Sequence, residues 1–103
     1  MKLYLCGPIT PRGWRKKREF ERNIMRFFRK ASELRQLGHE IYCPPEKEPP
    51  NRTWTFYLAH DIRGLIEFNP DALYIMTGWE NSKGANLELE WATQNNIKII
   101  YES

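Results

Sequence analysis

The sequence predicts a single α/β domain built on a four-stranded parallel sheet. Short apolar segments alternate along its 103 residues with longer segments in which apolar residues recur every three or four positions. Glycine, proline and other turn-forming residues separate these segments, and the resulting order is β-α-β-α-β-α-β. Strands that alternate with helices predict a parallel sheet with helices on its faces and ligands at the carboxyl ends of the strands.

The first half of the chain is predicted to hold two strands and the longest helix. A short apolar strand at residues 2–6 ends at a run of glycine and proline residues. Apolar residues at helical spacing then predict a helix from about Arg15 to Leu37, which a glycine terminates. Residues 39–43 form the second strand, closed by two prolines, and the polar residues 46–53 are predicted to be a surface loop.

The second half continues the alternation with two amphipathic helices and two strands. Apolar spacing predicts a helix over residues 54–66, which must end before the Asn-Pro pair that follows it. A third strand over residues 71–76 leads through a polar turn to a helix over residues 84–96, and residues 97–101 form the last strand. A chain of this length has no room for a second unit, so residues 1–103 are expected to be one domain.

Two carboxylates interrupt the apolar faces of the last two helices. At roughly 100° per residue, Glu88 lies in the middle of an apolar arc, and Asp61 lies between Tyr57 and Leu65 on its own helix. A buried charge costs several kcal/mol unless it is paired, neutralised or used, so both residues are candidates for chemistry. A structural carboxylate, held by backbone donors or by Lys83, is an equally valid interpretation of Glu88 at this point.

The net charge of +3 is unevenly spread along the chain. Residues 12–35 carry ten of the sixteen Lys and Arg residues against three glutamates, which suits a phosphate-bearing ligand but is also typical of a solvated helix face. Nucleic-acid binding, with Trp14 and Phe20 stacking on bases, is disfavoured because the aromatic residues of that helix fall mostly on its apolar stripe.

Other features argue against several classes of protein. No apolar run reaches the length of a membrane span or has the build of a signal peptide, so we expect a cytoplasmic protein that does not bind membranes. Cys6 and Cys43 lack metal-ligand or redox spacing and are expected to be buried free thiols. His39 and His60 show no ligand spacing either, so neither a metal nor any other cofactor is expected.

Two inward carboxylates, Tyr4 near the end of the first strand, and a helix that starts after the third strand suit displacement at a sugar carbon. Four stretches of the chain, in order, resemble the nucleoside 2-deoxyribosyltransferase superfamily, especially its small phage and bacterial members: residues 4–10, 37–44, 54–61 and 78–88. The resemblance implies a Rossmann-like or flavodoxin-like three-layer fold. It also implies cleavage or transfer at the N-glycosidic bond of a 2-deoxynucleoside 5-monophosphate, and a homodimer or higher homo-oligomer.

The resemblance further implies roles for individual residues. Glu88 matches the nucleophile that takes the deoxyribosyl group, Tyr4 matches a tyrosine that contacts it, and Asp61 matches an aspartate that positions the sugar. Ser82 matches a phosphate-binding serine of the branch that hydrolyses 2-deoxynucleoside 5-monophosphates, where nucleoside-level transferases have an aspartate. The other expected substrate-binding residues follow the first and third strands: Gly7, Pro8, Ile9, Thr10, Arg12, Gly78, Trp79 and Gly84.

Two alternatives stay open beside this interpretation. One is a non-catalytic protein that senses or sequesters a nucleotide in the same cleft, which needs no nucleophile. Pro8 departs from the hydrolase branch, which has a serine at that position. For Trp79, stacking on a base and sealing an edge of the sheet are both consistent with its position after the third strand.

Overall fold

The sheet of the protein is parallel throughout. The computed structural model describes residues 1–9 and 17–103. Its strands lie in the spatial order β2-β1-β3-β4, with the bounds β1 (Lys2–Cys6), β2 (Glu40–Tyr42), β3 (Ala72–Ile75) and β4 (Lys98–Tyr101). Leu3 in β1 pairs with Ile41 on one side and with Ala72 on the other, which fixes the register at the centre of the sheet.

Helices cover both faces of this sheet. Their bounds are α1 (Lys17–Gln36), α2 (Pro44–Lys47), α3 (Trp54–Phe68) and α4 (Lys83–Gln94). Helix α1 packs on one face, and α3 and α4 pack on the other, which gives three layers. The α/β fold with a four-stranded parallel sheet is therefore confirmed, and the layers are those of a Rossmann-like or flavodoxin-like arrangement.

Helix α2 differs from the sequence prediction, in which two prolines close β2 and a loop begins at residue 46. Pro44 and Pro45 instead begin a one-turn helix, where proline has a suitable φ and needs no N–H donor. The Arg35 guanidinium donates to both carboxylate oxygens of Glu46, at 2.8 and 2.6 Å, and ties this turn to the end of α1. The loop therefore begins at Glu48, close to the end of β2.

Alternation along β1 divides the core in two. Leu3 and Leu5 face α1 and pack with Phe27, whereas Tyr4 and Cys6 face α3 and α4. The second face thus receives a phenol and a thiol where the first receives two leucines. All of these β1 side chains are buried, so the polar atoms of Tyr4 and Cys6 must find partners inside the protein.

Side-chain caps fix where α3 and α4 begin. The Thr53 hydroxyl accepts a hydrogen bond from the Phe56 backbone N–H at 3.1 Å, and the Ser82 hydroxyl accepts one from the Ala85 N–H at 3.2 Å. Because the sheet is parallel, both helices start near the carboxyl ends of the strands and run back along it. The reversal of strand order between β1 and β3 lies at this same edge, which is where ligands bind in open α/β sheets.

Some of the sequence expectations concern thiols, metals and membranes. Cys6 and Cys43 are buried free thiols, as predicted. In the part of the chain that the structure describes, no group of three His, Cys, Asp or Glu side chains is placed to hold a metal ion. Within the same residues, no helix has both the length and the apolarity that a membrane span requires.

Candidate active site

Glu88 lies on the inner face of α4, and only 7% of its surface is exposed. Its Oε1 lies 3.9 Å from the Cys6 Sγ, which also lies 3.5 Å from the Ala85 carbonyl oxygen. Within residues 1–9 and 17–103, the Oε2 atom has no hydrogen-bond partner. The helical pattern predicts this inward position. Lys83 does not pair with the carboxylate; its Nζ lies 5.5 Å from the centre of the Trp54 ring.

Tyr4 links the two carboxylate-bearing helices through its hydroxyl. The hydroxyl donates to the backbone carbonyl of Asp61 at 3.2 Å and is close enough to the Glu88 carboxyl to lower its pKa. Burial, together with Glu88 and Asp61, raises the pKa of Tyr4 well above its usual value, so the phenol stays protonated and remains a donor. Its ring stacks on that of Tyr42, with 5.1 Å between centroids, which holds the hydroxyl in place.

Asp61 lies two turns into α3, and its side chain is 13% exposed. Its Oδ1 is 3.7 Å from the Nδ1 of His60, which is too long for a hydrogen bond, and neither atom has a partner within the described residues. The carboxyl group of Glu48, in the loop after α2, is close enough to raise the pKa of Asp61. Asp61 therefore meets a second carboxyl group and not a cation.

Burial dominates the electrostatics of this cluster. It raises the pKa of Glu88 to about 8; the Tyr4 hydroxyl and Cys6 thiol oppose this rise, and the charge of Glu48 adds to it. Burial, followed by the Glu48 carboxyl and the Glu88 charge, raises the pKa of Asp61 to about 9. At neutral pH the two acids are therefore mostly protonated, and they can exchange protons with a ligand near physiological pH.

The loop after β1 lies against the loop after β3. Gly78, with φ of +91°, makes the left-handed turn that follows β3, and a side chain there would lie 3.5 Å from Pro8. Gly7 is buried against Met76, where an added methyl group would come within 3.0 Å of the Met76 side chain. Ile9 packs on the α1 side of the core. Of the predicted binding residues in these loops, Gly7 and Ile9 thus have structural roles.

The predicted binding residues around the start of α4 differ in their surroundings. Trp79 is half-buried, and its ring centroid lies 6.1 Å from that of Tyr101 on the edge strand β4, so the structure favours the interpretation in which it seals the sheet edge. Ser82 caps α4, and because its hydroxyl oxygen accepts there, its own proton is available to a ligand. Gly84 has open space beside its Cα.

Some sequence predictions concern residues outside the described part of the chain, and one about α1 is only partly correct. Thr10, Arg12 and Trp14 lie outside the described residues. On α1, Phe20 and Phe28 are 40% and 38% exposed, so the expectation that the core takes most of the aromatic residues of this helix is wrong for these two.

Sequence reasoning missed Glu48, His60, Cys6 and Tyr42 as members of the cluster. A signal existed for Glu48, because it lies in the connection that follows β2 and the carboxyl ends of parallel strands share one edge. Tyr42 and Cys6 share the face of Tyr4 by strand alternation, which was also readable from the sequence. His60 gave no signal, since its neighbourhood depends on how α3 is rotated against the sheet.

Comparison with known proteins gives a family without an assigned activity. The model of the family described as "Domain of unknown function (DUF4406)" matches residues 1–101. No curated protein matches the chain, and no solved structure matches it. Because the match spans nearly the whole sequence, the chain belongs to the DUF4406 family.

Proposed function

We propose that this protein cleaves the N-glycosidic bond of a 2-deoxynucleoside 5-monophosphate, or transfers its deoxyribosyl group, with Glu88 as the nucleophile. The single observation that carries the proposal is the Oε2 atom of Glu88: a buried carboxyl oxygen with no partner among the described residues. Leaving such an atom unsatisfied costs free energy, and a reacting ligand is one reason for a protein to keep it. The resemblance of the sequence to deoxyribosyltransferases supports the same assignment.

The neighbours of Glu88 suit displacement at the anomeric carbon. A Glu88 oxygen attacks that carbon as the bond to the base breaks, and the electron pair of the broken bond goes to the base nitrogen. The hydroxyl of Tyr4 and the thiol of Cys6 stabilise the carboxylate that must be present before attack. Positive charge that develops on the sugar favours the same carboxylate in the transition state. Water or a second base then attacks the anomeric carbon and releases Glu88.

Recognition of a phosphate is supported by the start of α4. The Ser82 hydroxyl has a proton to donate, and the N–H groups of a first helical turn favour an anion. Lys83 is the first residue of α4, and its ammonium group lies over the ring of Trp54, the first residue of α3. A 5-phosphate bound at this point is stabilised by the helix start, while the sugar extends inward toward Glu88.

A second candidate, a non-catalytic nucleotide binder, is favoured by one specific observation. With a pKa of about 8, Glu88 is mostly protonated at pH 7, and a protonated carboxyl group is a hydrogen-bond donor but a poor nucleophile. A binder uses this group to hold the sugar. An enzyme must first ionise it, so its kcat/KM is expected to rise with pH up to about 8.

The experiment that separates the two candidates measures free base. The protein is incubated with deoxynucleoside monophosphates, deoxynucleosides and ribonucleotides at pH 6 to 9, and any released base is quantified by chromatography. We expect base from the deoxynucleoside monophosphates. Glu88→Gln is expected to lower this rate by at least about 10³-fold and to leave ligand binding, measured by calorimetry, within a few-fold of wild type.

Glu90→Gln is the matched control, because Glu90 lies on the same helix but is exposed and contacts Gln94. Wild-type rates in the control, with loss only in Glu88→Gln, support the nucleophile. Binding without release of base from any substrate supports the sequestering protein instead. The homo-oligomer and the cytoplasmic location stay predictions, and light scattering of the purified protein tests the first.

A further inference from the structure

Three buried side-chain atoms have no hydrogen-bond partner across the described ranges, 1–9 and 17–103: His60 Nδ1, Asp61 Oδ1 and Glu88 Oε2. Two belong to neighbouring residues of α3, and the third belongs to α4, which packs on the same face of the sheet. The Tyr4 hydroxyl connects the two helices, because it donates to the Asp61 carbonyl at 3.2 Å and is close enough to Glu88 to lower its pKa. Buried polar atoms are nearly always paired, so a ligand that meets Glu88 is expected to meet His60 as well.

The His60 ring is held with its Nδ1 edge inside the protein. The side chain is 31% exposed, yet Nδ1 itself is buried, so a different part of the ring reaches solvent. The ring stacks on that of Phe56, one helical turn earlier, with 5.9 Å between centroids and 24° between planes. This stack fixes the plane of the imidazole, and a ring nitrogen bonds within that plane. Nδ1 is therefore held in place for a partner on the inner side of α3.

The separation of His60 Nδ1 and Asp61 Oδ1 fits one oxygen atom that contacts both. The two atoms are 3.7 Å apart, which is too long for a direct hydrogen bond, but an oxygen about 2.8 Å from each bonds to the pair. A hydroxyl suits this position, because it donates to one atom and accepts from the other. A phosphate suits it poorly, because an anion is disfavoured beside Asp61 and Glu88 when either is ionised.

We propose that His60 is a further substrate-binding residue, whose Nδ1 holds the 3-hydroxyl of the deoxyribose together with Asp61 Oδ1. The inference rests on the proposed function, which supplies the sugar. A 2-deoxynucleoside 5-monophosphate has only this hydroxyl on its sugar, because carbon 2 carries hydrogen and the 5-oxygen carries the phosphate. The contact anchors the sugar on the α3 side while its anomeric carbon meets Glu88 on α4. It makes the site selective for sugars that keep the 3-hydroxyl.

This selectivity follows from the cost of covering a polar atom without pairing it. A nucleotide that lacks the 3-hydroxyl removes solvent from His60 Nδ1 and Asp61 Oδ1 but bonds to neither. We expect kcat/KM for a 2-deoxynucleoside 5-monophosphate to exceed that for the 2,3-dideoxy compound with the same base by at least about 10-fold. The Kd values, measured by calorimetry, should show a preference in the same direction.

Three substitutions of His60 separate the Nδ1 contact from the packing of the ring. His60→Phe keeps a flat ring against Phe56 but has no ring nitrogen, so the preference for the 3-hydroxyl should fall at least about fivefold. His60→Asn carries a polar atom at the position of Nδ1, bonded to the same side-chain carbon, and should keep most of the preference. His60→Gln places its amide one bond further out, where Nε2 lies, and should behave like His60→Phe.

His39→Phe is the matched control, because the chain has only one other histidine. His39 comes directly before β2, at the opposite edge of the sheet, and its Nδ1 lies 3.2 Å from the N-terminal ammonium group. This variant should leave the preference unchanged. Each preference is a ratio of two nucleotides measured on the same sample, so a variant that folds less completely does not imitate a loss of selectivity.

Several outcomes overturn the inference. Equal handling of the two nucleotides by wild type means that the His60 and Asp61 atoms bind solvent only. An equal loss on both nucleotides in His60→Phe gives the ring a structural role alone, and rescue by His60→Gln but not by His60→Asn assigns the contact to Nε2. If wild type binds nucleotides without releasing base, the catalytic proposal fails, whereas the ratio of Kd values still decides the role of His60. If no nucleotide binds, both fail.

Discussion

Carboxylates lie at the same edge of the sheet on both faces, but their surroundings differ. On the α1 face, Glu102 accepts from the Thr77 N–H at 2.9 Å and from its hydroxyl at 3.1 Å, and Lys30 lies 3.3 Å away. Burial raises the pKa of Glu102, but these donors outweigh it and lower the pKa below its usual value. On the other face, burial raises the pKa of Glu88 and Asp61 to about 8 and 9.

The contrast shows that this fold can supply hydrogen-bond donors and a cation to a carboxylate at the edge where the strands end. The basic residues that do so belong to α1, and none of the ion pairs among the described residues joins α1 to Glu88 or Asp61. Packing alone does not require acids in the helices on the second face, since α1 covers the first face with Phe27, Ala31 and Leu34. The unpaired acids lower stability at neutral pH, and such a cost is typical of residues kept for function.

The largest expected change in stability comes from Glu88→Gln. A raised pKa means that the folded state binds a proton that the unfolded state has already released, so this contribution is complete at low pH and is lost as pH rises toward about 8. The amide cannot ionise, so the variant should be more stable than wild type by about 1–3 kcal/mol at pH 9 and nearly equal to it at pH 5. Urea unfolding at both pH values measures the difference.

The control is Glu90→Gln on the same helix, which should change the free energy of unfolding by less than about 0.5 kcal/mol at either pH. If Glu88→Gln is less stable than wild type at pH 9, the carboxylate is satisfied after all, and the difference between the two faces disappears. Equal stability at every pH leads to the same conclusion.

Gly64→Ala tests how closely α3 packs against the sheet on the face that carries Tyr4. Gly64 is buried on α3, and an added methyl group would overlap the hydroxyl of Tyr42. The Tyr42 ring is held between Tyr4 at 5.1 Å and Phe68 at 5.4 Å, so it cannot move without disturbing the support of the Tyr4 hydroxyl. We expect a loss of about 1–3 kcal/mol in the free energy of unfolding.

Gly84→Ala is the matched control for this substitution. Gly84 also lies in a helix, but nothing would lie within 4 Å of the added methyl group, so stability should stay within about 0.5 kcal/mol of wild type or rise slightly. Thermal unfolding of the two variants compares them directly. A neutral Gly64→Ala would mean that Tyr42 moves freely and does not hold Tyr4 in position.

The fold and the inward acids were accessible from the sequence because they depend on periodicity. Alternation in β1 separates Leu3 and Leu5 from Tyr4 and Cys6, and the helical pattern places Glu88 on a buried face. Both patterns are local, and tertiary packing preserves them.

The remaining part of the site depends on contacts between distant residues. Glu48 lies in a segment without periodicity, and the course of this segment follows from the Tyr57 contact to Pro49 and from the ion pair of Glu46. The sequence offers Lys83 as a partner for Glu88 with equal reason, yet Lys83 lies over Trp54. Nothing local decides between these outcomes, because each is set by how helices are rotated against the sheet.

The smallest expected effect belongs to Glu102→Gln, and its sign is opposite to that of Glu88→Gln. The pKa of Glu102 is lowered in the folded state, so its contribution is present above the usual glutamate range and is lost as pH falls below it. The side chain is 18% exposed and its partners Lys30 and Arg26 reach solvent, so the loss should be only about 0.5–1 kcal/mol at pH 7. It should vanish near pH 3 and shrink in high salt. Urea unfolding at the two pH values, with and without added salt, measures it. A Glu102→Gln variant that is more stable than wild type at pH 7 would place this carboxylate with Glu88 and remove the distinction between the two faces.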